Sequence, residues 1–289
     1  MERFVEVDGV RLWVAESGRA DGSPLLLVMG ANASAVVWPE EFVARLGEQH
    51  RVVRYDHRDT GRSTWAFDRR PYAVADLARD AVAVLDGLGV GRAHVVGMSM
   101  GGTLVQLLLI DCPDRLLSAT VFATAVLEGA GPHGAPPPFV DIDPRLLALW
   151  EHLGDPRDRE EEIAFRVRHW QLLNGEEVPF DADEFRRLEE RVIAHAGRCD
   201  NPAAHARAGQ GGLARGAALS ASTTPTLVVE APADPINPPP AAARITAAIP
   251  GAQQVTIAGM GHAIGSPVLA PLAEAILTHT AQVDGRNND

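Results

Sequence analysis

Six short apolar runs recur along the sequence, and they limit the possible folds more than any other feature. Each run is rich in β-branched or aliphatic residues; the runs are 24–30, 51–56, 93–99, 118–124, 226–231 and 253–258. Runs of this kind are typical of strands buried on both faces of a parallel sheet. Most are separated by stretches with apolar residues at helical spacing, clearest over 72–88 and 267–280. This alternation predicts a doubly wound α/β fold.

The two ends of the chain complete this prediction. Residues 3–16 alternate polar and apolar side chains around Asp8-Gly9, which predicts an antiparallel hairpin with a tight turn. Together with the six runs, the hairpin gives a mostly parallel eight-stranded sheet with helices on both faces. The last residues, 282–289, are polar, and we expect them to form a disordered tail.

The interval between Thr124 and Thr226 departs from the alternation, because it contains no convincing strand. It begins with a Gly- and Pro-rich linker and continues with helical patterns; these segments are 129–138, 144–153, 160–173 and 182–197. Long insertions at one loop of an α/β sheet commonly carry binding function. We therefore expect a helical cap at 126–222, inserted between two parts of the core at 1–125 and 223–289. Residues 198–222, rich in Ala, Gly, Arg and Ser, have no readable pattern.

A serine lies between glycines where a predicted strand meets a predicted helix. The segment Gly97-Met98-Ser99-Met100-Gly101 has the strand-turn-helix context of the G-x-S-x-G nucleophile elbow. Because glycines have no Cβ, the chain can turn sharply there and hold the serine hydroxyl at the helix N-terminus. Ser99 is therefore the candidate nucleophile, against the alternative of a Ser/Gly turn without a role.

The candidate nucleophile needs partners, because a serine hydroxyl reacts poorly at neutral pH without a general base that is itself held by an acid. In this fold class the chain order is Ser, then Asp or Glu, then His. Asp234 and His262 each follow one of the last two apolar runs, so both are expected at the carboxyl edge of the sheet, where such sheets bind ligands. The alternatives are His57 as the base, in a loop at the same edge, and Glu128 as the acid.

An ester carbonyl under attack becomes an oxyanion, which two backbone N–H groups must stabilise. One donor is Met100, the residue after the nucleophile, and the other is expected in the loop after the third strand at Ala31. Gly30 permits the backbone geometry of that loop, and Asn32 adds either a substrate contact or a turn-stabilising hydrogen bond. Aromatic residues that could form a pocket wall, although each also suits ordinary core packing, are Trp38, Trp65, Phe139, Trp150, Phe165 and Trp170.

Charge and cysteine content exclude several classes of protein. Twenty-six basic and 38 acidic residues give a formal net charge of −12, which leaves no basic surplus for nucleic acid or an anionic membrane. No run approaches the roughly 20 apolar residues of a membrane span, and no signal-peptide pattern is visible. Cys112 and Cys199 give no disulfide framework, and metal-ligand spacings are absent. We expect a cytoplasmic monomer or homodimer, without metal or cofactor, that acts on a small-molecule ester.

The elbow, the late aspartate and the Gly-Met-Gly-His-Ala histidine make the chain resemble an α/β-hydrolase. Longer stretches resemble one branch of that family, the aclacinomycin methylesterases of anthracycline tailoring: LLLVMGANASAVVWP, RYDHRDTGRST, DAVAVLDGLGVGRAHVVGMSMGG, RHWQLLNGEEVPFDADEFRRLEERVIAHAG and PTLVVEAPADPI. The resemblance runs from Val10 to Thr280 and includes the cap. The positions that match the family's triad and oxyanion hole are Ser99, Asp234, His262, Met100 and Ala31.

This resemblance implies removal of a methyl ester from a polycyclic aromatic polyketide through an acyl-enzyme, without a cofactor. Two positions depart from the family pattern: Ala31 stands where glycine is expected, and Ala233 stands before the acid where histidine is common. Alternatives with the same chemistry are a general carboxylesterase, a lactonase or a thioesterase. An alternative of another class is a non-hydrolytic cyclase or small-molecule binding protein on the same fold.

Overall fold

Eight strands form one sheet. A computed structural model describes residues 1–130, 142–200 and 202–288 of the chain, and its strands are β1 (Glu2–Val7), β2 (Val10–Gly18), β3 (Pro24–Val28), β4 (Arg51–Tyr55), β5 (Ala93–Met98), β6 (Leu116–Phe122), β7 (Thr226–Glu230) and β8 (Gln253–Thr256). The strand order is β1-β2-β4-β3-β5-β6-β7-β8. β2 runs antiparallel to both of its neighbours, and all other neighbours are parallel. The predicted eight-stranded, mostly parallel sheet is confirmed.

Helices cover both faces of this sheet, as predicted. They are α1 (Glu40–Gly47), α2 (Val74–Gly87), α3 (Met100–Asp111), α4 (Pro144–Trp150), α5 (Arg159–Asn174), α6 (Ala182–Ala196), α7 (Ala204–Arg207), α8 (Ala241–Ala248) and α9 (Ser266–Asn288). Alternate residues of β3 belong to different hydrophobic clusters: Leu26 packs with α2, α3 and α8, whereas Leu27 packs with α1 and α9. Both faces of β3 are therefore buried, which explains why its sequence is a continuous apolar run.

The last strand differs from its prediction. β8 was expected to be buried on both faces, but three of its four residues are exposed and the fourth is half-buried. The reason is its position, since β8 pairs only with β7 and forms one edge of the sheet. An edge strand has a neighbouring strand on one side only, so its side chains are flanked by fewer others.

Helices α4 to α7, which we call the cap, lie between β6 and β7, and the described residues of this interval contain no strand. α5 begins with a reciprocal capping box, because Asp158 accepts from the Glu161 amide at 2.9 Å and Glu161 accepts from the Asp158 amide at 3.0 Å. α6 ends at Gly197 in the left-handed conformation, with φ 66°. The cap packs on the same cluster as α1 and α9, through Leu146, Leu172, Leu173, Phe185 and Leu188.

The prediction of a disordered tail at 282–289 is wrong for residues 282–288, because α9 continues to Asn288; Asp289 lies outside the described residues. Side-chain contacts explain the difference. Asp284 accepts a hydrogen bond from Ser23 Oγ at 2.7 Å and lies 3.0 Å from His94 Nε2, and Val283 is buried. These contacts attach the last turns of α9 to the amino ends of β3 and β5. No helix among the described residues has the length and apolar character needed to cross a membrane.

Candidate active site

Ser99 occupies the turn between β5 and α3 in a strained backbone conformation, with φ 55° and ψ −123°. The two flanking glycines make this turn possible. A Cβ on Gly101 would lie 2.1 Å from the Val28 carbonyl oxygen, and one on Gly97 would lie 2.3 Å from the Gly101 carbonyl oxygen. Larger residues would therefore push α3 away from β3 and β5, and the serine would lose its position at the helix N-terminus.

His262 and Asp234 form a buried hydrogen-bonded pair. His262 Nδ1 lies 2.9 Å from Asp234 Oδ2 and 3.1 Å from Oδ1. Asp234 Oδ1 also accepts from the amides of Ile236 at 2.8 Å and Asn237 at 3.0 Å. Burial alone would raise the pKa of Asp234, but the neighbouring His262 and the two amide donors lower the pKa below its ordinary value. Asp234 is therefore ionised at neutral pH and fixes Nδ1 of His262 as a donor.

The cap contacts the histidine loop directly. The amide of His262 donates to the Leu173 carbonyl oxygen at 2.7 Å, at the end of α5. A Cβ on Gly261 would lie 2.1 Å from the Asn174 carbonyl oxygen, so this approach requires glycine. A displacement of α5 would therefore move the histidine backbone as well.

One cavity is lined by the serine turn, the histidine loop and the cap. Its volume is about 540 Å³, and both Ser99 and His262 line it. Of the other predicted site residues, those on its wall are Gly30, Ala31, Asn32, Trp65, Trp150 and Trp170. Met100 follows Ser99 as the first residue of α3. The cavity lies between the carboxyl edge of the sheet and the cap, so a ligand there would contact both.

Both cap tryptophans on the cavity wall are held by hydrogen bonds. Trp150 Nε1 donates to His169 Nε2 at 2.9 Å, and Trp170 Nε1 donates to Glu189 Oε1 at 2.5 Å. Burial, with a contribution from His262, lowers the pKa of His169 to about 4, so His169 is neutral and can accept the indole proton. The two indole rings thus have fixed orientations before any ligand binds.

Two of the predicted aromatic positions, Phe165 and Trp38, are not on this wall. The guanidinium of Arg157 lies 3.8 Å from the ring centroid of Phe165, and Phe165 is not among the residues that line the cavity. Trp38 is fully buried against Phe42 and Phe122. Phe139 lies outside the described residues.

Glu128, the alternative acid, and His57, the alternative base, lie in environments that differ from those of Asp234 and His262. Glu128 is exposed, whereas the carboxylate in contact with His262 is that of Asp234. His57 is fully buried, and its Nε2 donates to the Met29 carbonyl oxygen at 3.0 Å. His57 therefore supports the strand end that leads to Gly30.

Sequence reasoning missed two histidines of this site. His169 lines the cavity, although a lone histidine on a helix is most often a solvated or packing residue. His205, from the unreadable segment 198–222, exchanges hydrogen bonds with Asn32. Asn32 and His205 are 173 residues apart in the sequence, so no local sequence pattern indicates that they are in contact.

One group of possible metal ligands occurs among the described residues, away from the cavity. Nitrogen and carboxylate atoms of His50, His94 and Asp284 lie within 4.8 Å of one another at the amino ends of the strands. Both histidines already bond to protein groups, since His50 Nε2 lies 2.8 Å from Thr280 Oγ1 and His94 Nδ1 lies 2.8 Å from Ser118 Oγ. We interpret the group as the contact that fixes α9.

Comparison with known proteins identifies the class of this protein. Residues 23–265 match the family model described as alpha/beta hydrolase fold, and the chain belongs to this family. It is 46% identical to rhodomycin D methylesterase DnrP of Streptomyces peucetius, over 96% of this chain and 97% of that protein. The same identity and coverage hold for rhodomycin D methylesterase DauP of Streptomyces sp. strain C5. The resemblance to anthracycline methylesterases is therefore confirmed.

A solved structure agrees with the fold. The hydrolase from Pseudomonas aeruginosa PA01 superposes with a TM-score of 0.70 at 25% identity, covering 96% of this chain and 97% of that one.

Proposed function

We propose that the chain is a serine-dependent carboxylic ester hydrolase that removes a methyl ester from an anthracycline-like polycyclic aromatic polyketide. The observation that carries this proposal is that one cavity wall includes both Ser99, on its strained elbow, and His262, paired with buried Asp234. The two methylesterases that are 46% identical over nearly their whole length support the substrate class.

The proposed mechanism assigns one role to each group. Ser99 Oγ attacks the ester carbonyl carbon while His262 Nε2 takes the hydroxyl proton, and ionised Asp234 stabilises the imidazolium. The oxyanion of the tetrahedral intermediate accepts hydrogen bonds from the amides of Met100 and Ala31. His262 then gives its proton to the leaving methoxide, which departs as methanol. Water, activated by the same histidine, hydrolyses the acyl-enzyme to the carboxylic acid.

The volume of the cavity suits a drug-sized substrate. A volume of about 540 Å³ is within the range of roughly 300–1,000 Å³ typical of sites for drug-sized ligands. Trp150 and Trp170 present indole rings of fixed orientation, on which a planar ring system can stack. The triad and oxyanion donors contact only the ester group, so these cap residues supply the discrimination.

The test uses two kinds of ester and one label. Purified enzyme is incubated with an anthracycline methyl ester and with nitrophenyl acetate, with Ser99→Ala as the control. The carboxylic acid product of the methyl ester is quantified by mass spectrometry, and the nitrophenol released from nitrophenyl acetate is quantified by its absorbance. We expect the polyketide ester to give the higher kcat/KM. Preference for the small ester would point to a general carboxylesterase. Failure of wild-type Ser99 to react with a fluorophosphonate would point to a non-hydrolytic binding protein or cyclase.

Further parts of the proposal concern organisation and location. The cap boundaries 126–222 and a cytoplasmic location are proposed, the latter because Cys112 and Cys199 are both free and only partly buried. A monomer or homodimer is proposed, which light scattering at several concentrations distinguishes. The substrate is a small molecule, and a formal charge of −12 disfavours nucleic acid. Full activity after treatment with a chelator is expected, since the triad provides its own nucleophile.

A further inference from the structure

The peptide between Gly30 and Ala31 lies between two peptides that buried histidines hold in place. On one side, His57 Nε2 lies 3.0 Å from the Met29 carbonyl oxygen. On the other side, the Asn32 amide donates to His205 Nδ1 at 2.8 Å. The middle peptide carries the Ala31 amide, the proposed oxyanion donor. Within the described ranges, no protein group accepts a hydrogen bond from that amide.

The middle peptide also lies against the nucleophile. A Cβ on Gly30 would lie 3.2 Å from Ser99 Cβ and 3.7 Å from Ser99 Oγ. A small rotation of this peptide would therefore change the direction of the Ala31 N–H relative to the oxygen that develops charge. Oxyanion donors act because their direction is fixed before the reaction.

The chemistry of the partners fixes the proton positions on both histidines. A carbonyl oxygen can only accept, so His57 Nε2 carries the proton. A backbone amide can only donate, so His205 Nδ1 is the acceptor, and His205 Nε2 donates to the Arg58 carbonyl oxygen at 3.0 Å. The acceptor role of Nδ1 requires a neutral His205, whereas the bond from His57 requires only a proton on Nε2. Burial, the largest influence on each ring, lowers the pKa of His57 to about 3 and that of His205 to about 4.

Asn32 makes the second contact reciprocal. Its Oδ1 accepts from the His205 amide at 3.1 Å, so two hydrogen bonds join these residues. Asn32 has φ 58°, the left-handed region that asparagine tolerates better than most residues. The two histidine rings are 5.6 Å apart and nearly perpendicular, and together they form one buried support beneath the turn.

We propose that His57 and His205 are positioning residues for the oxyanion donor: they hold the two peptides on either side of the Ala31 amide and so set its direction. This inference rests on the proposed esterase function. It assigns a role to the segment 198–222, which provides one half of the support. Neither His57 nor His205 is among the residues that line the cavity, so both act through the backbone of residues 29–32.

The test uses amide side chains that imitate one imidazole nitrogen each. Asparagine places its amide near the Nδ1 position of histidine, and glutamine places its amide near the Nε2 position. At residue 57 the working nitrogen is Nε2, so His57→Gln should retain more activity than His57→Asn. At residue 205 the critical nitrogen is Nδ1, so His205→Asn should retain more activity than His205→Gln. His152→Gln, at an exposed cap residue, is the matched control.

Four quantities are measured for each variant: kcat and KM with nitrophenyl acetate, the rate of fluorophosphonate labelling, and the melting temperature. The disfavoured variants, His57→Asn and His205→Gln, should lose about 10- to 100-fold in kcat with KM little changed, somewhat less than the roughly 100- to 1,000-fold cost of deleting an oxyanion donor. Labelling should slow in parallel, because phosphonylation uses the same donors.

The opposite order of Asn and Gln at the two positions is the decisive result. A packing role alone would make both amides equally poor at each position and would lower the melting temperature in step with kcat; that result, or unchanged kcat in all four variants, would overturn the inference. Wild-type protein that fails to label would instead refute the esterase function, and the inference with it.

Discussion

Ser99 and His262 should act as one unit, because neither the hydroxyl nor the imidazole performs nucleophilic attack without the other. Each single variant, Ser99→Ala and His262→Ala, is expected to lower kcat by about a million-fold, with the double variant little worse. Single-turnover kinetics on nitrophenyl acetate, with circular dichroism to verify folding, measures this. Losses that multiply in the double variant would show that the two residues do not cooperate.

Asp234 should matter through the tautomer of His262. Asp234→Asn can donate to Nδ1 where the carboxylate accepted, which favours the wrong tautomer, and the expected loss in kcat is about 10,000-fold. Glu128→Gln is the matched control, since Glu128 is exposed, and it should be nearly neutral. If Glu128→Gln is nearly inactive while Asp234→Asn remains active, the catalytic acid is Glu128 and not Asp234.

The sequence predicted these residues but not their supports, for a physical reason. Ser99, Asp234 and His262 lie at strand ends within local patterns of glycine, proline and β-branched residues, so their neighbours reveal them. His57, His169 and His205 act through contacts with residues distant in sequence, and nothing in their own segments indicates it. Phe165 shows the converse error, because helical spacing does not reveal which side of α5 faces the cavity.

At the scale of elements, we expect the cap to distinguish substrates. α4 provides Trp150, and α5 provides both Trp170 and His169, which holds the Trp150 indole. The end of α5 also receives the His262 amide. The cap therefore couples the pocket wall to the histidine loop.

Truncation of either tryptophan should change specificity more than chemistry. Stacking contributes about 0.5 to 1.5 kcal/mol per aromatic pair beyond area burial, so Trp150→Ala or Trp170→Ala should lower kcat/KM for the polyketide ester by about tenfold or more while sparing nitrophenyl acetate. Phe165→Ala is the matched control, because Phe165 is a half-buried cap aromatic outside the cavity wall. Equal losses on both esters, with a lowered melting temperature, would show that the tryptophans only stabilise the cap.

The burial of a strand or helix was predicted correctly where its own sequence indicates it, and incorrectly where it depends on neighbouring elements. β3 and β5 are buried on both faces and look so in sequence. The run 253–258 was predicted as a strand buried on both faces, but β8 lies at an edge of the sheet and is mostly exposed. The sequence does not indicate which strands have two neighbours. The last turns of α9 look polar, but Asp284 meets partners from β3 and β5, and such a contact exists only after the sheet has formed.

At the scale of the whole molecule, buried histidines should make the fold sensitive to acid. Burial lowers the pKa of six histidines below the ordinary value of 6.5: His50, His57, His94, His169, His205 and His279. The unfolded chain binds protons at these groups below pH 6.5, whereas the folded chain binds them only at lower pH, because the pKa of each histidine is lowered in the folded state. Unfolding is therefore favoured as the pH falls, and the free energy of unfolding should decrease from pH 6.5 downward.

His94 is suited to test the acid sensitivity of the fold, because it is only 1% exposed. Burial lowers the pKa of His94 to about 4, although the neighbouring Asp284 acts in the opposite direction. Between pH 6.5 and 4 it should remove about 1.4 kcal/mol of stability for each pH unit. His94→Gln eliminates the titration, so its urea-unfolding free energy, lower at pH 7, should fall less steeply from pH 7 to pH 5 than that of the wild type. His152→Gln, at an exposed histidine, should keep the wild-type slope. If the His94→Gln and wild-type slopes coincide, His94 takes up its proton equally in both states and does not contribute to the acid sensitivity of the fold.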